Sequence, residues 1–308
     1  MTSPRTLDLG RDCMVTMLPE GRLQLQQGPI NLVVKAYGSE PDVRAAYQRA
    51  IGHFPTILER LAANLPILKQ PIDAATELSD SPAGERMLDA TSPYKDRFVT
   101  PMACVAGAVA DDVLSIIAST PGIERVFVNN GGDIALHLAA GHTISIGVVP
   151  SLVDAVSEGK ITVHHGDGIG GIATSGWMGP SHSLGIADAV TVLARNAASA
   201  DVAATLIANE VNLDSKLIER ARACDLDDTS DLGDLLVTTA VGSLSPAEKR
   251  TALDAGVSYA NTLIDQGLIV SALMNVQGQW ATAGQSHKKT IASQPRQDPL
   301  LQQKMTGS

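Results

Sequence analysis

An aspartate and a threonine four residues apart have side chains suited to metal chemistry. Asp201 and Thr205 lie in a stretch with helical patterning, so this spacing places both side chains on one helix face. Carboxylate and hydroxyl oxygens are donors that Mg²⁺ prefers, with water or substrate phosphate completing its shell. Structural roles fit the same residues, because the helix dipole favours an acid in a first turn and Thr205 suits a core position.

A second segment, Asn130-Gly131-Gly132-Asp133, combines a tight turn with a carboxylate. Two glycines let a backbone turn with positive φ or come close to a ligand. Asp133 has the chemistry to bind a hydroxyl group or a metal. Because Asn-Gly is also a strong signal for a β-hairpin turn, a purely structural role is the alternative.

A third segment, residues 166–176, is rich in glycine and ends in Thr174-Ser175-Gly176. Backbone N–H groups of such a segment can bind phosphate. The segment matches neither a Walker loop nor a dinucleotide-binding fingerprint, so its glycines alone are a weak phosphate signal. His182 follows, and its near-neutral intrinsic pKa suits acid–base chemistry as well as a hydrogen-bonded surface position.

The elements that must position these residues are strands and helices in one α+β unit. A helix capped by Ser199 is predicted for about residues 200–209, and a buried strand for 189–194. Other helices are predicted at 41–65 with a kink or break at Pro55, from Thr100 to 117, and from Ser245 to about 267; other strands are predicted at 14–18, 30–36, 125–136 around a turn, 143–149, 268–276 and 280–283. We expect one domain over residues 1–284 and a polar, disordered tail at 285–308.

Composition narrows the class of protein. The 308 residues are 44% hydrophobic but only 3% aromatic, which predicts an aliphatic core. A net charge of −10 argues against nucleic-acid binding, which requires a basic surface. No transmembrane helix is expected, and the polar N-terminus lacks a signal core, so we expect a cytoplasmic protein. Three scattered cysteines predict neither a disulfide framework nor a Cys-x-x-Cys metal site.

Taken in order, these segments resemble the ApbE family, the FAD:protein FMN transferases. That family has a helix with Gly-Tyr-Ala-Val-Asp, then Asn-x-Gly-Gly-Asp, Thr-Ser-Gly, a histidine opening His-Ile-Ile-Asp-Pro, and a helix with Ala-Asp-x-x-x-Thr. The matching residues lie within about 100–210: Gly107 with Asp111, Asn130 to Asp133, Thr174 to Gly176, His182, and Ala200-Asp201 with Thr205. Residues 183–194 are similar to a stretch of an uncharacterised ApbE-like subfamily.

The resemblance implies a fold, a cofactor set and a site. The fold would be a single α+β domain of mixed or antiparallel sheet with packed helices. Mg²⁺ would be held by Asp201, Thr205 and the backbone carbonyl of Ala103. FAD would lie near Asn130, Gly131, Gly132, Thr174, Ser175 and Gly176, with Asp133 and His182 as catalytic residues. The implied partners are a flavin nucleotide and an acceptor protein, and a homo-oligomer is compatible with this family.

The sequence also departs from the family pattern. Ala106 stands where the family usually has Lys or Glu, Thr100 replaces an acidic residue, and Ser183 follows His182 in place of the usual isoleucine. Two functions therefore stay open. One is a Mg²⁺-dependent enzyme that transfers FMN or cleaves the FAD pyrophosphate. The other is a non-catalytic flavin- or metabolite-binding or assembly protein with a decayed transferase site.

Overall fold

The computed structural model describes residues 5–10, 12–71, 77–148, 159–179 and 181–284. The predicted tail at 285–308 lies outside these residues. The strands are β1 (Arg5–Asp8), β2 (Cys13–Leu18), β3 (Arg22–Gln27), β4 (Ile30–Gly38), β5 (Ile123–Asn130), β6 (Asp133–Leu138), β7 (Thr143–Val148), β8 (Gly159–His164), β9 (Gly171–Ser175), β10 (Ala189–Ala194), β11 (Ile218–Arg222), β12 (Leu236–Val241), β13 (Ser271–Val276) and β14 (Gln279–Gly284). The helices are α1 (Glu40–His53), α2 (Pro55–Leu68), α3 (Pro82–Thr91), α4 (Val105–Ala118), α5 (Ala197–Glu210), α6 (Ala223–Leu226) and α7 (Pro246–Asp265).

Ten strands form one sheet in the order β1-β2-β3-β4-β5-β6-β9-β10-β13-β14. Every strand pair in it is antiparallel, so the α+β prediction is confirmed in its antiparallel form. The pairs β7–β8 and β11–β12 form two further small sheets. Neighbours far apart in the chain, such as β6 with β9 and β10 with β13, bring distant segments to the centre of the large sheet.

Both faces of the central strands are covered. Along β6, Ala135 belongs to the large core, while Ile134 and Leu136 belong to a smaller cluster with Ile144 and Val163 of the β7–β8 hairpin. This alternation follows from the strand geometry, in which successive side chains point to opposite faces. The large core is mainly aliphatic, as the low aromatic content predicted.

Several local predictions are confirmed. Pro55 separates α1 from α2, because a proline suits the first position of a helix and has no N–H to bond to the preceding turn. Ser245 and Glu248 form a capping box at the start of α7. The β5–β6 and β13–β14 hairpins form at the predicted turns, and β10 has the predicted bounds. The helix expected from Thr100 begins as a 3₁₀ turn at Pro101–Cys104 before α4.

The predicted start of α5 is wrong. Asn196, and not Ser199, is the cap, and its side chain accepts the N–H of Ser199 at 2.7 Å. The helix therefore begins at Ala197, which places Asp201 in the second turn. The helix dipole acts mainly on the first turn, so it no longer accounts for an acid at this position.

The stretch Pro101–Ala118 is long and apolar enough by composition to cross a bilayer. More than half of that stretch is buried within the protein. It also carries Asp111 and Asp112, both buried and both bonded to other helices. These contacts are those of a central core helix.

Candidate active site

The α4 helix and the 3₁₀ turn before it run antiparallel to α5, with three contacts at intervals of four residues. The hydroxyl of Thr205 donates to the carbonyl of Ala103 at 3.5 Å. The N–H of Gly107 donates to Oδ2 of Asp201 at 3.0 Å. One turn further along α4, the carboxylate of Asp111 accepts two N–H groups at the start of α5. Each helix thus supplies a carboxylate to the first turns of the other.

Glycine permits this close approach. A Cβ at Gly107 would collide with the carbonyl of Ala197, and a Cβ at Gly171 would collide with the backbone joining Asn196 to Ala197. The start of α5 is therefore packed directly on the backbones of α4 and β9. Gly171 belongs to the glycine-rich segment. Close packing explains why this residue is glycine, and phosphate binding is not needed to explain it.

The β5–β6 turn is tied to the same helix. Gly131 and Gly132 have φ values of +67° and +120°, which explains why both are glycine. Gly132 donates its N–H to the side chain of Asn129 at 2.8 Å. Asn130 is buried and donates from Nδ2 to the carbonyl of Ala106 at 3.1 Å. Both glycines are exposed, with open space where a Cβ would be, so a ligand has room to approach the turn.

Two carboxyl groups, Asp133 and Asp201, interact at this point. Burial raises the pKa of Asp133 to about 7, although the N–H of Thr174 donates to its Oδ1 at 3.3 Å and favours the charged form. The pKa of Asp201 is also raised well above its usual value, first by burial and then by the negative charge of Asp133. Two like charges in partly enclosed surroundings favour either a shared proton or a bound cation.

The atoms around these carboxyl groups suit a hard divalent cation. The carboxylate of Asp201, the hydroxyl of Thr205 and the carbonyl of Ala103 are oxygen donors on facing helix turns, with the carboxylate of Asp133 nearby. Among the described residues no three His, Cys, Asp or Glu side chains form a metal-binding group. A site here would therefore rely on carboxylate, hydroxyl and carbonyl oxygens together with water, which is the mixed set that Mg²⁺ accepts.

Thr174-Ser175-Gly176 ends β9 beside Asp133. The N–H of Thr174 bonds to Asp133, and its hydroxyl bonds to that of Thr191 at 2.9 Å. Thr174 is exposed and Ser175 half-buried, so this strand end is open to a ligand. Position 176 requires glycine for packing, because a Cβ there would collide with the carbonyl of Asp188.

His182 has a different neighbour. Among the described residues it makes no hydrogen bond or ion pair with Asp133 or Asp201. It lies close enough to Asp227 to help lower the pKa of that carboxyl, which is lowered chiefly by hydrogen bonds from Thr229. The structure thus joins Asn130, Asp133, Thr174, Asp201, Thr205 and Ala103 through contacts around α4 and α5, and His182 does not take part in these contacts.

One residue has a larger part in the site than the sequence suggested. Asp111 appears in the sequence only as the partner of Gly107 in a motif, yet its carboxylate holds the start of the helix that carries Asp201. The spacing contained a signal for this arrangement. Residues 103, 107 and 111 and residues 197, 201 and 205 are two series with a period of four, as expected of facing helix stripes.

A family model described as AbpE bacteria matches residues 15–282. The chain belongs to this family. The match covers every segment of the site described above, and it confirms the resemblance to ApbE proteins seen in the motifs.

Curated relatives of the chain include UPF0280 proteins from archaea. A UPF0280 protein of Methanothrix thermoacetophila is 33% identical over 168 residues, which cover 54% of this chain and 65% of the relative. A UPF0280 protein of Methanopyrus kandleri is 38% identical over 143 residues, which cover 46% of this chain and 56% of the relative. The chain thus spans less than two thirds of the length of these relatives.

Solved ApbE structures are more distant. The ApbE protein of Thermotoga maritima superposes with a TM-score of 0.44 at 13% identity, covering 91% of this chain and 97% of that one. A variant of the flavin transferase ApbE from Vibrio cholerae gives a TM-score of 0.45 at 12% identity, covering 87% and 98%. At this level of similarity no activity is carried over to the present chain.

Proposed function

We propose that the chain binds FAD together with Mg²⁺ between α4, α5 and the β5–β6 turn, and cleaves the pyrophosphate of the flavin. The observation that carries this proposal is the convergence of Asp201, Thr205, the Ala103 carbonyl and Asp133 in a member of the AbpE family. A divalent cation would offset the repulsion between these two neighbouring carboxylates. The products would be FMN, passed to water or to an acceptor protein, and AMP.

The chain's own residues have distinct tasks in this proposal. The N–H of Gly107 holds one oxygen of Asp201, which orients the second oxygen for the cation. Thr205 and the Ala103 carbonyl would complete the protein's share of the ligands. When bound, Mg²⁺ would neutralise charge on the pyrophosphate oxygens, while the protein positions the reacting groups.

Asp133 and the turn beside it would face the dinucleotide. The N–H of Thr174 donates to one oxygen of Asp133, which fixes the orientation of this carboxylate at the edge of the site. This property suits a group that orients or polarises the attacking hydroxyl or water. The exposed backbone of Gly131 and Gly132, together with Thr174 and Ser175, offers room and hydrogen-bonding groups for the nucleotide.

The proposal is tested by incubating the protein with saturating FAD and Mg²⁺ and separating FMN and AMP by chromatography. Asp201→Ala removes the carboxylate on α5 and is expected to lower metal-dependent turnover by at least a hundredfold. Asp254→Ala is the matched control, because Asp254 is an exposed helical aspartate on α7, and it should retain wild-type turnover. Full activity of Asp201→Ala would contradict the assignment of the site.

A second function, flavin binding without cleavage, is favoured by one observation. Ala106 stands where ApbE enzymes usually carry Lys or Glu, and its backbone carbonyl accepts a hydrogen bond from the side chain of Asn130. A site without that charged group would retain the cation ligands but lose a group that acts on the substrate. FAD binding measured by fluorescence, with no FMN or AMP formed, would establish this alternative. FMN attached to a candidate acceptor protein would establish transfer.

A further inference from the structure

We propose that Asp111 is a positioning residue that fixes α5 against α4 and thereby determines how tightly Asp201 and Thr205 bind a divalent cation. This inference rests on the proposed function, because it concerns the same site. Asp111 does not touch the cation donors. It acts through the helix that carries them, in addition to the effect of its negative charge on Asp201.

The side chain of Asp111 binds the N-terminal end of α5 through hydrogen bonds. Its side chain is 5% exposed, and both of its oxygens are used. Oδ1 accepts the N–H of Ala197 at 3.0 Å and Oδ2 accepts the N–H of Ala198 at 2.8 Å. Asn196 caps the N–H of Ser199 at the same end. These acceptors satisfy the first N–H groups of α5, which have no partner within the helix.

The hydrogen bonds between α4 and α5 run in both directions. Asp111 of α4 holds the start of α5, and Asp201 of α5 holds the N–H of Gly107 near the start of α4. A slide of α5 by a fraction of a turn would break both sets of bonds at once. It would also separate Thr205 from the Ala103 carbonyl, which lies one further turn along the same interface.

Hydrogen bonds must set this alignment, because the packed side chains are small. Ala103, Gly107 and Ala197 present no long side chains that could interlock along the contact. Helices with large side chains are held in register by ridges that fit into grooves. Where the side chains in contact are small, the directional bonds of a carboxylate can take over that task.

The test is the Mn²⁺ affinity of Asp111→Asn, measured by the electron paramagnetic resonance signal of free Mn²⁺. Asparagine has almost the same shape but only one acceptor oxygen, so its NH₂ group would face one of the two helix N–H groups. We expect the dissociation constant for Mn²⁺ to rise about tenfold, equivalent to about 1.4 kcal/mol. The measurement is made well below the unfolding temperature, with circular dichroism as a check of folding.

Asp112→Asn is the matched control. Asp112 is the next residue of α4 and is 3% exposed; it accepts a hydrogen bond from Nε2 of His53 on α1 at 2.7 Å and lies 3.9 Å from Nε of Arg86 on α3. Its substitution removes an equally buried charge and should lower stability, yet leave Mn²⁺ affinity within about twofold of the wild type. The negative charge of Asp111 also acts on Asp201, so weaker Mn²⁺ binding counts as positioning only if the uncharged substitution Asn196→Ala, which loosens the same helix start, weakens it too.

The outcomes separate the inference from the proposed function. Unchanged Mn²⁺ binding by Asp111→Asn, or equal weakening by Asp112→Asn, overturns the inference alone. A wild-type protein that binds no Mn²⁺ overturns both. If Asp111→Asn does not fold, amide hydrogen exchange of the wild type decides: saturating Mg²⁺ should slow exchange of Ala197 and Ala198, and no change in their rates would refute the role of Asp111.

Discussion

Removing the charge of Asp133 should stabilise the metal-free protein at high pH. Asp133→Asn keeps the acceptor oxygen that faces the N–H of Thr174, but it cannot ionise. In the wild type, folding raises the pKa of Asp133 from 3.8 to about 7. A raised pKa means that the folded state holds its proton more tightly than the unfolded state. The associated stability is therefore present below about pH 4 and is lost as pH rises through about 7.

The size of this effect follows from the same change in pKa. The full difference corresponds to about 4 kcal/mol of unfolding free energy, since each pH unit is worth about 1.4 kcal/mol. Asp133 is only partly buried by surface area, so water screens part of the penalty. We expect the unfolding free energy of the wild type to fall by about 2 kcal/mol, relative to that of Asp133→Asn, between pH 5 and pH 8. Asp201 titrates together with Asp133, so the measured change belongs to the pair.

The assay is urea unfolding in EDTA at pH 5, 6, 7 and 8 for the wild type and Asp133→Asn. The stability difference between the two proteins should change with pH in favour of the variant, while other titrating groups largely cancel. Saturating Mg²⁺ at pH 8 should restore stability to the wild type more than to the variant, because ligand binding to the folded state stabilises it. A difference that stays constant from pH 5 to pH 8 would refute the argument.

Two further predictions concern the fold that supports the site. Gly171→Ala should lower the free energy of unfolding in urea by about 3 kcal/mol or more, because the added Cβ meets backbone that cannot move aside. Gly147→Ala is the control: its Cβ meets open space, so the free energy of unfolding should change by less than about 1 kcal/mol. Equal losses in the two variants would contradict the packing argument. Ser245→Ala should cost about 1 kcal/mol by thermal unfolding, since it removes the capping box of α7; an unchanged midpoint would show that the cap is dispensable.

Local signals in the sequence predicted much of the fold. Proline at position 55, the Asn-Gly turn after β5 and the Ser-Pro-Ala-Glu start of α7 each act through neighbouring residues, and each formed as predicted. The start of α5 was missed because Asn196 and Ser199 are both good caps. Asn196 is selected by contacts that α5 makes with β9 and α4, which no local pattern contains.

The residues of the site also fall into two groups, those that local spacing predicted and those that tertiary contacts determine. The i, i+4 spacing of Asp201 and Thr205 placed both on one face of a helix, and the helix carries them at the contact with Ala103. The glycine-rich segment was harder to interpret. Gly171 is required by backbone packed against it from 25 residues further along the chain, in Asn196 and Ala197, and Gly176 by the carbonyl of Asp188. Such reasons depend on tertiary contacts.

The place of β10 in the sheet has a consequence for synthesis on the ribosome. All six of its residues are buried, and one edge pairs with β13, which begins at Ser271. Until the C-terminal hairpin emerges, that edge has unpaired backbone groups flanked by apolar side chains, the combination that promotes aggregation. A nascent chain would therefore need protection during the last third of translation, and a truncation before residue 271 should yield insoluble protein.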